Sequence, residues 1–136
     1  MFKKILIPID PHNLENAGFS IKLAKKLITK NGTISVLSII ENVPEYIIAE
    51  LPGRFIDEAK NNAKAIIQKF IAEHKLDADI VIDSGNPAVL INQAAEDDNF
   101  DLIIIASHKP NMMNYLLGST ADRVVRRAKC PVFVTR

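Results

Sequence analysis

Five short apolar runs constrain this chain more than any other feature: ILIPI (5–9), ISVLSII (34–40), DIVI (79–82), LIIIA (102–106) and VFV (132–134). They are rich in Ile and Val and apolar on both faces instead of alternating, the pattern of parallel strands covered by helices on each side. Helical spacing fills the gaps between them. Ala17, Ile21, Ala24 and Ile28 share one face of a first helix, and Phe55, Ala59, Ala63, Ile66 and Phe70 mark a longer second one. Leu90 with Ala94 marks a third, and Ala121, Val124, Val125 and Ala128 a fourth. The order β-α-β-α-β-α-β-α-β predicts an α/β fold, a doubly wound parallel sheet with four helices and right-handed crossovers.

The punctuation agrees. Asn86 and Pro87 suit the start of the third helix, and Lys129-Cys130-Pro131 breaks the fourth before the last strand. Apart from 107–118, the longest irregular stretch is ENVPEYIIAELPG (41–53). That is long for a strand-to-helix connection and reads as a lid or a partner-facing flap.

With 136 residues, one domain spanning 1–136 is expected, and a chain of this size buries roughly two-thirds of its unfolded surface. A net charge of +1 gives no reason to expect nucleic acid or an anionic membrane as partner. Cys130 is the only cysteine, so no intrachain disulfide can form. His12, His74 and His108 are far apart, with no Cys-x-x-Cys or His-Glu-x-x-His spacing, so no metal site is expected. The opening MFKKILIPID is too short in its apolar part for a signal-peptide core or a membrane span, and the expected location is cytoplasmic.

Ligands of open α/β sheets bind beyond the carboxyl ends of the strands, where strand order reverses. The loops at that edge are 10–13, 41–53, 83–87 and 107–118. Asp10 ends the first strand, where a carboxylate can hold a ribose hydroxyl or orient a base; DPHN is equally a good turn. In DSGNP (83–87), Gly85 permits positive φ and close backbone approach, while Pro87 opens a helix. GST (118–120) opens the fourth helix, whose first N–H groups favour anions. Ser119-x-x-Asp122 also fits a capping box, which competes for the same hydroxyl. His108 and Lys109 follow the fourth strand, and Lys109 can neutralise phosphate oxygens. No G-x-x-x-x-G-K-[ST], G-x-G-x-x-G or G-x-S-x-G motif occurs.

The set ILIPID, GNP, LIIIASH, LLGST and the ending CPVFVTR resembles the universal stress protein family, over the whole chain and in order. The spelling IIIASHKP…YLLGS…VVRRAKCPVFV is most similar to its F and G branch. The resemblance implies a Rossmann-like, adenine-nucleotide-binding type of domain with strand order 3-2-1-4-5. It also implies a homodimer and, in many members, ATP held through G-x2-G-x9-G-[ST] after the fourth strand. In that motif the first Gly falls on Ala106 and the second on Lys109, across Ser107 and His108; the last pair matches Gly118-Ser119, followed by Thr120 and Ala121. The family's Asp matches Asp10 beside Pro8 and Ile9, its adenine-contacting backbone falls near Ile39, and its turn matches Gly85 and Pro87. Two of the three glycines are replaced, and eight residues separate Lys109 from Gly118 instead of nine.

Three functions follow from this. The first is a stress-response module binding ATP, with Mg carried by the phosphates. The second is a nucleotide-free interaction dimer paired through strand 131–135. The third is a slow ATPase, for which no positioned base is evident.

Overall fold

The computed structural model describes residues 1–41, 44–51, 53–107 and 117–136. In chain order the elements are β1 (Phe2–Pro8), α1 (Ala17–Leu27), β2 (Ile28–Glu41), α2 (Glu45–Ile48), α3 (Phe55–Glu73), β3 (Asp79–Gly85), α4 (Pro87–Asp97), β4 (Leu102–Ala106), α5 (Ser119–Arg127) and β5 (Val132–Thr135). The five strands form one sheet in the order β3-β2-β1-β4-β5, parallel at every pairing. The expected strand order and the four long helices are present; α2 adds a single turn inside the 41–53 segment.

Strand residues alternate between two cores because successive side chains point to opposite faces. Ile5, Ile7, Ile34, Val36 and Ile104 pack under Ala17, Ile21 and Ala24 of α1 and Ile67 and Ile71 of α3. Leu6, Leu37, Ile103 and Ile105 pack under Ala88, Ile91 and Ala95 of α4 and Ala121 and Val124 of α5. Each fully buried Ile, such as Ile5, Ile7 or Ile103, is worth about 1.5–3 kcal/mol over an exposed one. That double burial is why the central runs are so largely apolar; on the edge strands Val81 and Phe133 remain exposed.

The helix faces differ in detail from their spacing. Ile28 does not close the α1 stripe: α1 ends at Leu27, and Ile28 already lies in β2, opposite Phe2. In α3 the buried residues are Ala63, Ile67 and Ile71, and Ile66 faces outward. In α4 the buried seam is Ala88, Ile91 and Ala95, with Ala94 half-buried against the same core and Leu90 outside it. Val125 of α5 is exposed. In α3, α4 and α5 neighbouring apolar residues offered two adjacent stripes, and the facing sheet took one. The Asn86 cap does form: its side chain accepts the Val89 N–H at 3.2 Å, with Pro87 at the first helical position.

Candidate functional site

The strand order reverses between β1 and β4, and the carboxyl edge there opens into a cleft of about 190 Å³. Its floor is apolar, from Leu37, Ile39, Ile91 and Ile105. Ile9 continues β1 by donating its N–H to the Leu37 carbonyl at 2.9 Å, which carries Asp10 to the rim. The Asp10 Oδ1 accepts the His12 N–H at 2.9 Å, and its carbonyl accepts the Asn13 N–H at 3.0 Å. Asp10 therefore makes the turn with one oxygen, and Oδ2 has no hydrogen-bond donor among the described residues. That leaves an acceptor at the mouth of an apolar cleft.

The opposite wall is the N-terminus of α5. The capping box does not form: Gly118 is the cap, with extended backbone (φ −62°, ψ 153°) and no side-chain cap bond, and Ser119 is already helical. The reason is register: with Gly118 at the cap, Ser119 is the first helical residue and Asp122 the fourth, so neither stands where the box needs it. The Asp122 carboxylate instead accepts from Arg126 Nε, at 3.2 and 3.0 Å to its two oxygens. The Ser119, Thr120 and Ala121 N–H groups have no acceptor within the helix and lie at the cleft wall. Such a terminus favours negative charge.

Ser107 acts at one remove. Its Oγ accepts the Gly118 N–H at 2.9 Å, and its own N–H donates to the Thr135 carbonyl at 2.7 Å. The Thr135 hydroxyl lies 2.9 Å from that of Ser20, both buried. These bonds tie the end of β4, the start of α5, the end of β5 and α1 together.

The cleft thus gathers Pro8, Ile9, Asp10, Ile39, Pro87, Ala106, Gly118, Ser119, Thr120 and Ala121. Gly85, at φ 145° where side-chain-bearing residues rarely sit, lines an adjoining cavity. His108 and Lys109 lie outside the described residues. The sequence reasoning left out Asn13, Ala17, Leu37, Glu41, Ile91 and Ile105. Asn13 and Glu41 sat inside the loops at the ligand edge; the others are core residues whose tops form the floor, which periodicity cannot separate from ordinary core. Among the described residues no group of His, Cys, Asp or Glu could hold a metal ion, and no helix is long and apolar enough to cross a membrane.

An apolar-floored cleft facing an open helix N-terminus suits a ligand with a flat apolar part and an anionic part. The universal stress protein family matches the chain over residues 1–136. The chain belongs to that family. Universal stress protein G of Salmonella typhimurium is 26% identical over 142 residues, covering 100% of both chains. Universal stress protein MJ0577 of Methanocaldococcus jannaschii is 31% identical over 157 residues, covering 100% of this chain and 96% of its own. The solved structure of MJ0577 superposes with a TM-score of 0.73 over 99% of this chain and 96% of that one. More distant universal stress proteins share the fold: one solved in complex with cAMP, at 15% identity and TM-score 0.71, covers 99% of this chain and 97% of its own. Another, from Archaeoglobus fulgidus in complex with dAMP, at 18% and 0.57, covers 98% of each.

Proposed function

We propose that this universal stress protein binds ATP at the cleft and serves as a nucleotide-dependent interaction module. The observation that carries the reading is the uncapped first turn of α5, opening onto an apolar floor with an Asp10 oxygen left over at the rim. The base would lie on Leu37, Ile39 and Ile105, the ribose hydroxyls at Asp10 and the phosphates at the Ser119, Thr120 and Ala121 N–H groups, with Mg carried by the phosphates. Lys109, from its place in the chain, would supply charge to them. The adenine nucleotides bound by the cAMP and dAMP complexes of distant relatives support the same ligand class.

The test is nucleotide released on denaturing freshly purified protein, together with calorimetry using Mg-ATP. Adenine nucleotide and a measurable heat are expected. Ser119→Ala keeps the backbone N–H and removes only the hydroxyl, so it should weaken binding by about fivefold or less. Gly118→Val, which places a branched side chain against the phosphate position, should weaken it further without backbone strain, since Gly118 is extended. No bound nucleotide and no heat at millimolar Mg-ATP would sink the reading.

The same reading includes a homodimer paired through residues 131–135. Among the described residues β5 is an edge strand paired with β4 alone, and Phe133 on it is 45% exposed. An edge of this kind needs a cover.

A further inference from the structure

A second cavity, of about 270 Å³, adjoins the cleft and shares Glu41, Pro87, Ser119 and Thr120 with it. Neither space alone reaches the roughly 300 Å³ at which ligand pockets usually begin, whereas a ligand occupying both would. The two halves differ in chemistry. The first has the apolar floor; the second is bounded by Gly85, Asn86 and Arg123, and by Glu41, the strand partner of Gly85. Arg123 sits four residues after Ser119, on the same helix face and one turn further along α5. Arg126 pairs with Asp122 and Lys129 with Glu96, each at 3.0 Å, whereas Arg127, which does not line the cavity, is unpaired among the described residues. Arg123 makes no ion pair among the described residues, although Asp122 is its immediate neighbour.

We propose that this second cavity is a subsite for a further phosphate group of the bound nucleotide, selected by the Arg123 guanidinium. The proposal rests on the nucleotide reading above. A phosphate held at the Ser119 and Thr120 N–H groups stands at the shared wall, so a second one needs only to turn toward Arg123. A guanidinium presents paired donors that match phosphate oxygens. The Glu41 carboxylate in the same cavity repels an anion, so the subsite depends on Arg123 to offset it. The second phosphate can come from the 5′ chain or from the ribose, and the chemistry recognised is the same.

Calorimetric titration of the full chain with AMP, ADP and adenosine 3′,5′-bisphosphate separates these sources. Arg123 is exposed, so Arg123→Gln should fold normally. It is expected to weaken ADP or the bisphosphate by about tenfold, the scale of one charge-assisted hydrogen bond, while leaving AMP nearly unchanged. Selective loss with ADP places the group on the 5′ chain; selective loss with the bisphosphate places it on the ribose. Glu41→Gln should tighten the same ligand. Equal losses for all three ligands, or no loss for any, would overturn the subsite and leave the cleft reading standing. A wild-type chain that binds none of them overturns both.

Discussion

Ser107 is the residue on which the candidate site turns, although it lies behind the cleft wall. The Gly118 N–H is buried with its residue and finds its acceptor in the Ser107 hydroxyl. Ser107→Ala leaves that donor unpaired at a cost of about 1–3 kcal/mol, and it frees the first turn of α5 from the end of β4. The expected result is a lower melting temperature together with about fivefold weaker nucleotide binding. Ser107→Thr, which keeps the hydroxyl, should recover most of both. Binding by Ser107→Ala as tight as wild type, with only stability reduced, would make the bond structural and nothing more. The sequence singled out Ser107 by its place after the fourth strand, but its role depends on a contact eleven residues away and is not legible locally. Ser119 shows the opposite case: its capping-box spacing to Asp122 is real, yet the helix starts one residue early, at an extended Gly118 cap, and the spacing falls out of register. Spacing alone does not fix which residue of Gly118-Ser119 is the cap.

At the scale of elements, the strands were legible because burial on both faces leaves few polar positions in their centres, Ser38 of β2 being a buried exception. Their ends were not. β2 begins at Ile28, six residues before its apolar run: Ile28 pairs with Phe2, the register then shifts across polar residues such as Lys30 and Asn31, and regular pairing resumes at Thr33 opposite Lys4. The start of β1 is held in a similarly hidden way. Asp101, just before β4, accepts the Lys3 N–H at 2.8 Å on one oxygen and the Lys4 N–H at 2.9 Å on the other. Partial burial pushes its carboxyl up, but the N–H donors of Lys3 and Lys4 and the Lys3 charge outweigh this, and it lies below the ordinary value of 3.8. A carboxylate with a depressed folded-state pKa stabilises the fold above its unfolded value, and that contribution disappears as the pH falls through the lower one. Asp101→Ala should therefore cost about 0.5–1.5 kcal/mol in urea unfolding at neutral pH, the net worth of a hydrogen bond whose donors water can reach. The gap between wild type and variant should narrow as the pH drops below about 3.8. A gap that stays constant down to the acid transition would mean that the charge on Asp101 contributes nothing.

For the whole molecule, topology decides both where a ligand can sit and where another copy can attach. Reversal of strand order beside β1 puts the cleft at the carboxyl edge, and the same winding leaves β5 at the border of the sheet. The Pro131 carbonyl accepts the Ile103 N–H at 3.0 Å, and the Thr135 carbonyl accepts the Ser107 N–H at 2.7 Å. Residues 131 and 135 thus direct their backbone groups at β4, and by alternation Phe133 does as well, whereas Val132 and Val134 present theirs to the free edge. In a two-fold dimer built on this edge the strands run antiparallel, and every contact occurs twice. Val134→Pro removes one outward N–H per chain and leaves the β4 ladder intact, as proline on an edge strand can. Two lost hydrogen bonds at about 1 kcal/mol each weaken association roughly thirtyfold. Sedimentation at micromolar concentration should then show a dimer for the wild type and a shift toward monomer for Val134→Pro, with unchanged circular dichroism. A monomeric wild type would remove the dimer from the reading. A variant that dimerises as well as the parent would move the interface off the Val134 side of β5.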